Sequence, residues 1–147
     1  MICVWWGMRG VIHWEILPAG DTITGEVYCQ QLDRVADCLK HKQDRVYFLH
    51  DNARPHVSKV ASQKLEQLHW EVLRHPPYSP DLAPTDYHLF RSMAHFLDGK
   101  RFSEEGDVIS AISEYFGSLS QEFFEKGIIS LADRWRQVVD NGGEYIN

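Results

Sequence analysis

The chain contains no apolar run approaching the roughly 18 to 20 residues that a membrane-spanning helix needs, which excludes an integral helical membrane protein. Its start, Met1-Ile2-Cys3-Val4-Trp5-Trp6, lacks a basic segment and has too short an apolar stretch for a signal peptide. Cysteine is scarce: Cys3, Cys29 and Cys38 form an odd set without CxxC spacing, which fits reduced thiols in the cytosol or nucleus better than a disulfide framework. There are no internal repeats and no low-complexity runs. What is present is 147 residues, 44% hydrophobic and 12% aromatic, enough for one domain with a real core and too apolar for a disordered chain.

A net basic charge is also missing; the formal net charge is -6. Divided along the chain, residues 1–101 carry 12 Lys/Arg and 12 Asp/Glu, whereas residues 102–147 carry 3 against 9. Between 34 and 64, seven bases (Arg34, Lys40, Lys42, Arg45, Arg54, Lys59, Lys64) face three acids. A local basic surface and an ordinary solvated helix face explain these residues equally well.

Ile2–Trp6 and Val11–Leu17 read as two strands joined by the turn-rich Gly7-Met8-Arg9-Gly10, an antiparallel hairpin. Thr22–Thr24 is expected to add a brief third strand. Tyr28, Leu32, Val35 and Leu39 recur at helical spacing and predict a helix over 26–40. Arg45–His50 reads as a central strand buried on both faces. A loop follows at Asp51-Asn52-Ala53-Arg54-Pro55, then a helix with Val57, Val60/Ala61, Leu65 and Leu68, and a strand at Trp70–Leu73. The four prolines within 75–84 imply an extended connection. Thr85 is expected to cap a helix with Leu89/Phe90, Met93 and Phe96/Leu97 inside, and Asp86 on that inward face. Beyond Gly99 the pattern is helical: one helix from Ser103 with Val108, Ile112 and Phe116 inside, and a last one capped by Ser130 and ending at Gly142-Gly143. A hairpin, then alternating helices and strands, then a helical tail, is a mixed α/β domain.

Asp51 directly follows the central strand, where open α/β sheets place catalytic groups; an Asx turn is the plain alternative. Asp86 lies in the first turn of a helix, where a dipole-stabilising carboxylate is the plain alternative. Two carboxylates brought together could hold Mg²⁺ or Mn²⁺ for phosphoryl transfer.

The surroundings of these two aspartates are more specific. His50-Asp51-Asn52-Ala53-Arg54-Pro55-His56 and the block Tyr78-Ser79-Pro80-Asp81-Leu82-Ala83-Pro84-Thr85-Asp86-Tyr87-His88-Leu89-Phe90 resemble the two signature blocks of mariner-type transposases. The 34 residues between Asp51 and Asp86 match that family's separation of its second and third catalytic aspartates. Val4-Trp5-Trp6, Gly10-Val11-Ile12, Glu15-Ile16-Leu17, Tyr28-Cys29-Gln30-Gln31-Leu32, Trp70-Glu71-Val72-Leu73, Arg134-Trp135 and Gly143-Glu144-Tyr145 extend the resemblance over nearly the whole chain. It implies a ribonuclease H-like fold that cuts and joins transposon DNA with divalent ions, with Asp51 and Asp86 as the catalytic, metal-binding residues. Asp81 is expected to be a turn residue of the proline loop.

The chain departs from the family in two ways. The family's first catalytic aspartate follows the paired tryptophans, but Trp5-Trp6 is followed here by Gly7, which has no side chain to bind a metal. Glu15 is expected to pair near Ile2, roughly 13–17 Å along the sheet from Gly7, too far to substitute. The family's N-terminal helix-turn-helix domains, which read the transposon ends, are expected to be absent. The implied protein is therefore a catalytically impaired transposase-like DNA-binding domain of the nucleus. Its Mg²⁺ or Mn²⁺ binding is weakened by Gly7, and its partners are DNA held weakly and without sequence preference and a second copy of the chain. No membrane and no small-molecule substrate is expected. Arg54, Lys59 and Arg91 are the candidate phosphate contacts, with plain surface charge as the equal alternative. His50, His56, His75 and His88 cluster around the two blocks without zinc spacing, and hydrogen-bonding roles are expected of them. Trp5, Trp6 and Trp14 are expected to pack in the hairpin core rather than to stack on bases. Two further functions stay open: a residual Mg²⁺- or Mn²⁺-dependent endonuclease using Asp51 and Asp86 alone, and a domesticated dimerisation or protein-interaction module.

Overall fold

Two strands open the chain, β1 (Ile2–Gly7) and β2 (Gly10–Ile16), paired as the expected hairpin. Met1 and Leu17 exchange hydrogen bonds in both directions, at 3.3 and 2.8 Å, which closes its open end. The computed structural model describes residues 1–40, 42 and 45–143. Glu144, Tyr145 and part of the segment before Val46 lie outside the described residues. The chain divides into two compact units, Met1–Trp6 with Ile12–Tyr78, and Gly7–Val11 with Ser79–Asn147.

In the first unit, helix α1 (Gly25–Leu39) forms because Tyr28, Leu32 and Val35 share one face and are buried, and because Thr24 caps it. The Thr24 Oγ1 accepts the Val27 N–H at 3.2 Å, so this threonine ends the loop rather than extending a third strand. Helix α2 (Lys59–Gln67) is capped by Ser58, whose Oγ accepts the Ala61 N–H at 3.3 Å. It buries Ala61 and Leu65 against Tyr28 and Leu32. Each fully buried leucine contributes about 1.5–3 kcal/mol. Gly25 permits this approach: a Cβ there would lie 2.6 Å from the Ser58 hydroxyl.

Strands β3 (Tyr47–Phe48) and β4 (Glu71–Val72) pair in parallel, Tyr47 opposite Glu71 and Phe48 opposite Val72, with α2 as the crossover. The expected central strand is thus shorter than predicted, and it is not buried on both faces: Tyr47 is 57% exposed. Its continuous apolar run reads the same whether one face or two are covered. Phe48 packs on Trp70, and Trp5 joins the same cluster, a core role as expected.

In the second unit the proline-rich connection winds a 3₁₀ turn at Pro80–Leu82 that buries Leu82, so it is not extended throughout. The next segment, Thr85–Phe90, is π-helical and runs directly into α3 (Arg91–Leu97). Thr85 is therefore not the cap; that position falls on Pro84, whose ring carries no acceptor. Helix α4 (Glu105–Ser118) starts with a reciprocal capping box between Glu104 and Asp107. Helix α5 (Gln121–Asp140) is capped ten residues before the predicted cap, with the Ser120 Oγ accepting the Phe123 N–H at 3.2 Å. Ser130 sits in mid-helix, where its hydroxyl donates to the Gly127 carbonyl at 3.1 Å, a common alternative use of serine. Leu89, Met93, Ile112, Tyr115 and Phe124 are the buried apolar side chains of these helices.

Candidate active site

Asp51 lies three residues beyond the end of β3. Its Oδ1 accepts the Ala53 N–H at 2.9 Å, closing the Asx turn that the loop sequence allows. The same oxygen accepts the His56 Nδ1–H at 2.6 Å. Partial burial pulls the Asp51 carboxyl upward, but the Ala53 N–H and the adjacent His56 outweigh it and hold the group below its ordinary range. Its side chain stays 54% exposed, open to a ligand.

Behind Asp51 lies a stack of rings. His56 is parallel to His50 with centroids 5.2 Å apart, and Tyr28 of α1 packs on His56 at 4.3 Å. Burial, with His56 and His75 nearby, pushes His50 down to about 4, so it is a neutral imidazole at pH 7. The Tyr28 hydroxyl, held protonated mainly by burial, shares a hydrogen bond of 2.7 Å with His50 Nδ1. Asn52 donates to the His75 carbonyl at 2.8 Å and ties the loop to the segment after β4. The role of Tyr28 and His56 in fixing Asp51 was not legible as such; only the clustering of histidines around the block signalled it.

Glu15, the nearest acid to Gly7 in sequence, is fully engaged. Its carboxylate receives the Arg34 fork at 2.8 and 2.9 Å, the Gln31 amide at 3.0 Å and a His13 ring nitrogen at 2.7 Å. Burial opposes ionisation, but these hydrogen bonds from Arg34, His13 and Gln31 bring its carboxyl down to about 2.

In the second unit Asp86 falls in the π-helical segment and is exposed. Leu89 and Met93 keep the expected inward face, but the wider i→i+5 winding turns Asp86 off it. His88 donates to the Phe123 carbonyl at 2.7 Å, stacks on Phe123, and presses against Gly127, where any Cβ would overlap its ring. Tyr87 donates to the Gly127 carbonyl at 2.5 Å. Asp81 offers its backbone carbonyl to Arg134 at 3.1 Å. Arg54, Lys59 and Arg91 are all exposed, the first two in the first unit and Arg91 in the second.

Among the described residues no three His, Cys, Asp or Glu side chains gather to hold an ion, and Gly7 carries no side-chain donor.

Comparison with known proteins gives three findings. A family described as transposase (partial DDE domain) matches residues 1–49. The chain is 44% identical over 153 residues to the mariner Mos1 transposase of Drosophila mauritiana, covering 99% of this chain and 44% of that protein. It is also 44% identical over 153 residues to the histone-lysine N-methyltransferase SETMAR of Homo sapiens, covering 100% of this chain and 22% of that protein. The chain thus spans less than half the length of either curated relative. Among solved structures, the Mos1 transposase catalytic domain with raltegravir and Mn superposes with a TM-score of 0.96 at 42% identity, covering 99% of this chain and 76% of that one.

Proposed function

The chain belongs to the mariner-type transposases and has their ribonuclease H-like fold, and from that premise we propose that it is a transposase catalytic domain disabled at one carboxylate. The observation that carries this reading is Gly7 at the end of β1, where the family's first aspartate is expected, beside two intact signature blocks around Asp51 and Asp86. In this reading Asp51 and Asp86 are the remaining two ligands for Mg²⁺ or Mn²⁺, whose chemistry in such domains is to activate the attacking oxygen and stabilise the leaving one. The protein's own contribution is to keep Asp51 ionised and oriented through Ala53 and His56. Glu15 cannot replace the missing group, because Arg34, Gln31 and His13 already occupy its carboxylate.

The partner in this reading is DNA, bound weakly and without sequence preference in the nucleus, with the domain acting as a homodimer. The test is plasmid nicking in Mn²⁺ by the unmodified chain, Gly7→Asp, and Gly7→Asp with Asp51→Asn. Cutting by Gly7→Asp alone supports the reading. Equal cutting by the unmodified chain would establish the two-ligand endonuclease instead. Silence from all three would remove the catalytic reading and favour an interaction module.

A further inference from the structure

The second unit carries an open groove of about 730 Å³ between the segment that ends in α3 and helix α5. Its charge is opposite to that of the chain around it. Residues 102–147 carry only three bases, Lys126, Arg134 and Arg136, against nine acids. Two of those three bases, Lys126 and Arg134, line the groove, and none of the nine acids does. Arg91 and His95 face them from α3, and Asp98 is the only acid on the lining.

The cations are presented for an external anion. Arg91 and Lys126 are exposed, and neither forms an ion pair among the described residues. Arg134 is pre-set: its guanidinium lies 3.8 Å over the Tyr87 ring and donates to the Asp81 carbonyl at 3.1 Å. Tyr87 is in turn fixed by its bond to the Gly127 carbonyl. Lys126, Ser130 and Arg134 follow each other at four-residue steps, so the two cations stand about 12 Å apart along α5. That spacing covers about two phosphate-to-phosphate steps along one DNA strand, too long for a single phosphate group.

We propose that this groove binds the sugar–phosphate backbone of DNA through Arg91, Lys126 and Arg134. The proposal rests on the transposase reading only for the choice of DNA as the polyanion. Arg91 was already a candidate contact from sequence; Lys126 and Arg134 were hidden because they lie in the most acidic stretch.

The test is fluorescence anisotropy with a labelled mixed-sequence 20-bp duplex in EDTA, over a KCl series. The unmodified chain, Arg91→Ala/Lys126→Ala, the milder Lys126→Gln, and Arg136→Ala are compared, Arg136 being an exposed α5 base paired with Asp133 outside the groove. The double variant is expected to bind about tenfold or more weakly, with a log–log salt slope smaller by about 2. Lys126→Gln should lose about half that slope change, and Arg136→Ala should stay within about twofold of the unmodified chain. No binding by the unmodified chain, unchanged binding by the groove variants, or an equal loss in Arg136→Ala would overturn the proposal. So would displacement of the duplex by a glutamate 20-mer at equal charge, which would assign the groove to an acidic protein segment. Because metal is absent, the outcome is independent of nicking. Groove-dependent binding with no nicking by Gly7→Asp would sink the catalytic reading alone, and nicking with unaltered groove variants would sink this inference alone.

Discussion

His56 donates its Nδ1–H to Asp51 Oδ1 over 2.6 Å, and the oxygen that accepts it also closes the Asx turn on Ala53. One carboxylate oxygen is thereby fixed by two donors three residues apart, while most of the side chain stays open to solvent. A surface aspartate in a plain turn would have only the backbone donor. The second donor comes from a ring that is itself wedged between Tyr28 and His50.

His56→Ala is therefore expected to raise the Asp51 carboxyl pKa toward its ordinary value. A ¹³C-detected NMR titration of the carboxyl carbons reads this directly. An unmoved Asp51 titration would assign the whole depression to the Ala53 N–H.

Glu15 gives a stability prediction with a defined pH window. Its folded pKa of about 2 lies below the ordinary 4.5, so the proton binds more tightly in the unfolded chain. The Glu15 contribution is then fully present above about 4.5 and is lost as the pH falls toward about 2. Arg34→Ala should cost about 1–2 kcal/mol at pH 7, discounted because Arg34 is half exposed. Urea denaturation should show that cost shrinking between pH 5 and pH 3. A cost independent of pH would mean that Arg34 acts through packing and not through the carboxylate.

Gly127 is the contact point of α5 with His88. Gly127→Ala forces the His88 ring to move and should destabilise the protein by about 1–3 kcal/mol. Gly117→Ala in α4 meets nothing within 4 Å and should be neutral or stabilising by up to about 1 kcal/mol. Thermal unfolding of both, and of Gly127→Ala with His88→Ala, separates steric overlap from helix propensity. If the double variant recovers no part of the loss, His88 is not the source of the clash.

The elements that sequence reading placed well are those whose signal is periodic burial: the hairpin, α1, α2 and the Leu89–Met93 face. Family resemblance added the ribonuclease H-like fold, which the comparison with the Mos1 catalytic domain bears out. Where the sequence misled, side chains with two local uses were responsible. Thr24 has the β-propensity of a strand residue but serves as a cap. Ser130 imitates a helix start, yet Ser120 is the real one. The inward placement of Asp86 assumed 3.6 residues per turn and fails where the winding is wider. In the candidate site, Asp51 and its turn were legible because Asx chemistry is local. The ring stack behind it joins residues 28, 50 and 56, a tertiary contact with no signature in spacing.

The π-wound segment ahead of α3 makes one rod carry two rotational phases. From Arg91 onward the helix presents Met93 to the core and Arg91 to the groove, whereas the residues before it follow a different phase set by the wider turn. Removing a single residue between Thr85 and Phe90 would restore ordinary winding and swing Asp86 by about 100° against α3. The Asp86 signature block and the cationic groove are thus geared together: Tyr87 and His88 of the same segment line the groove and Tyr87 carries Arg134, so an insertion or deletion of one residue there would reset both.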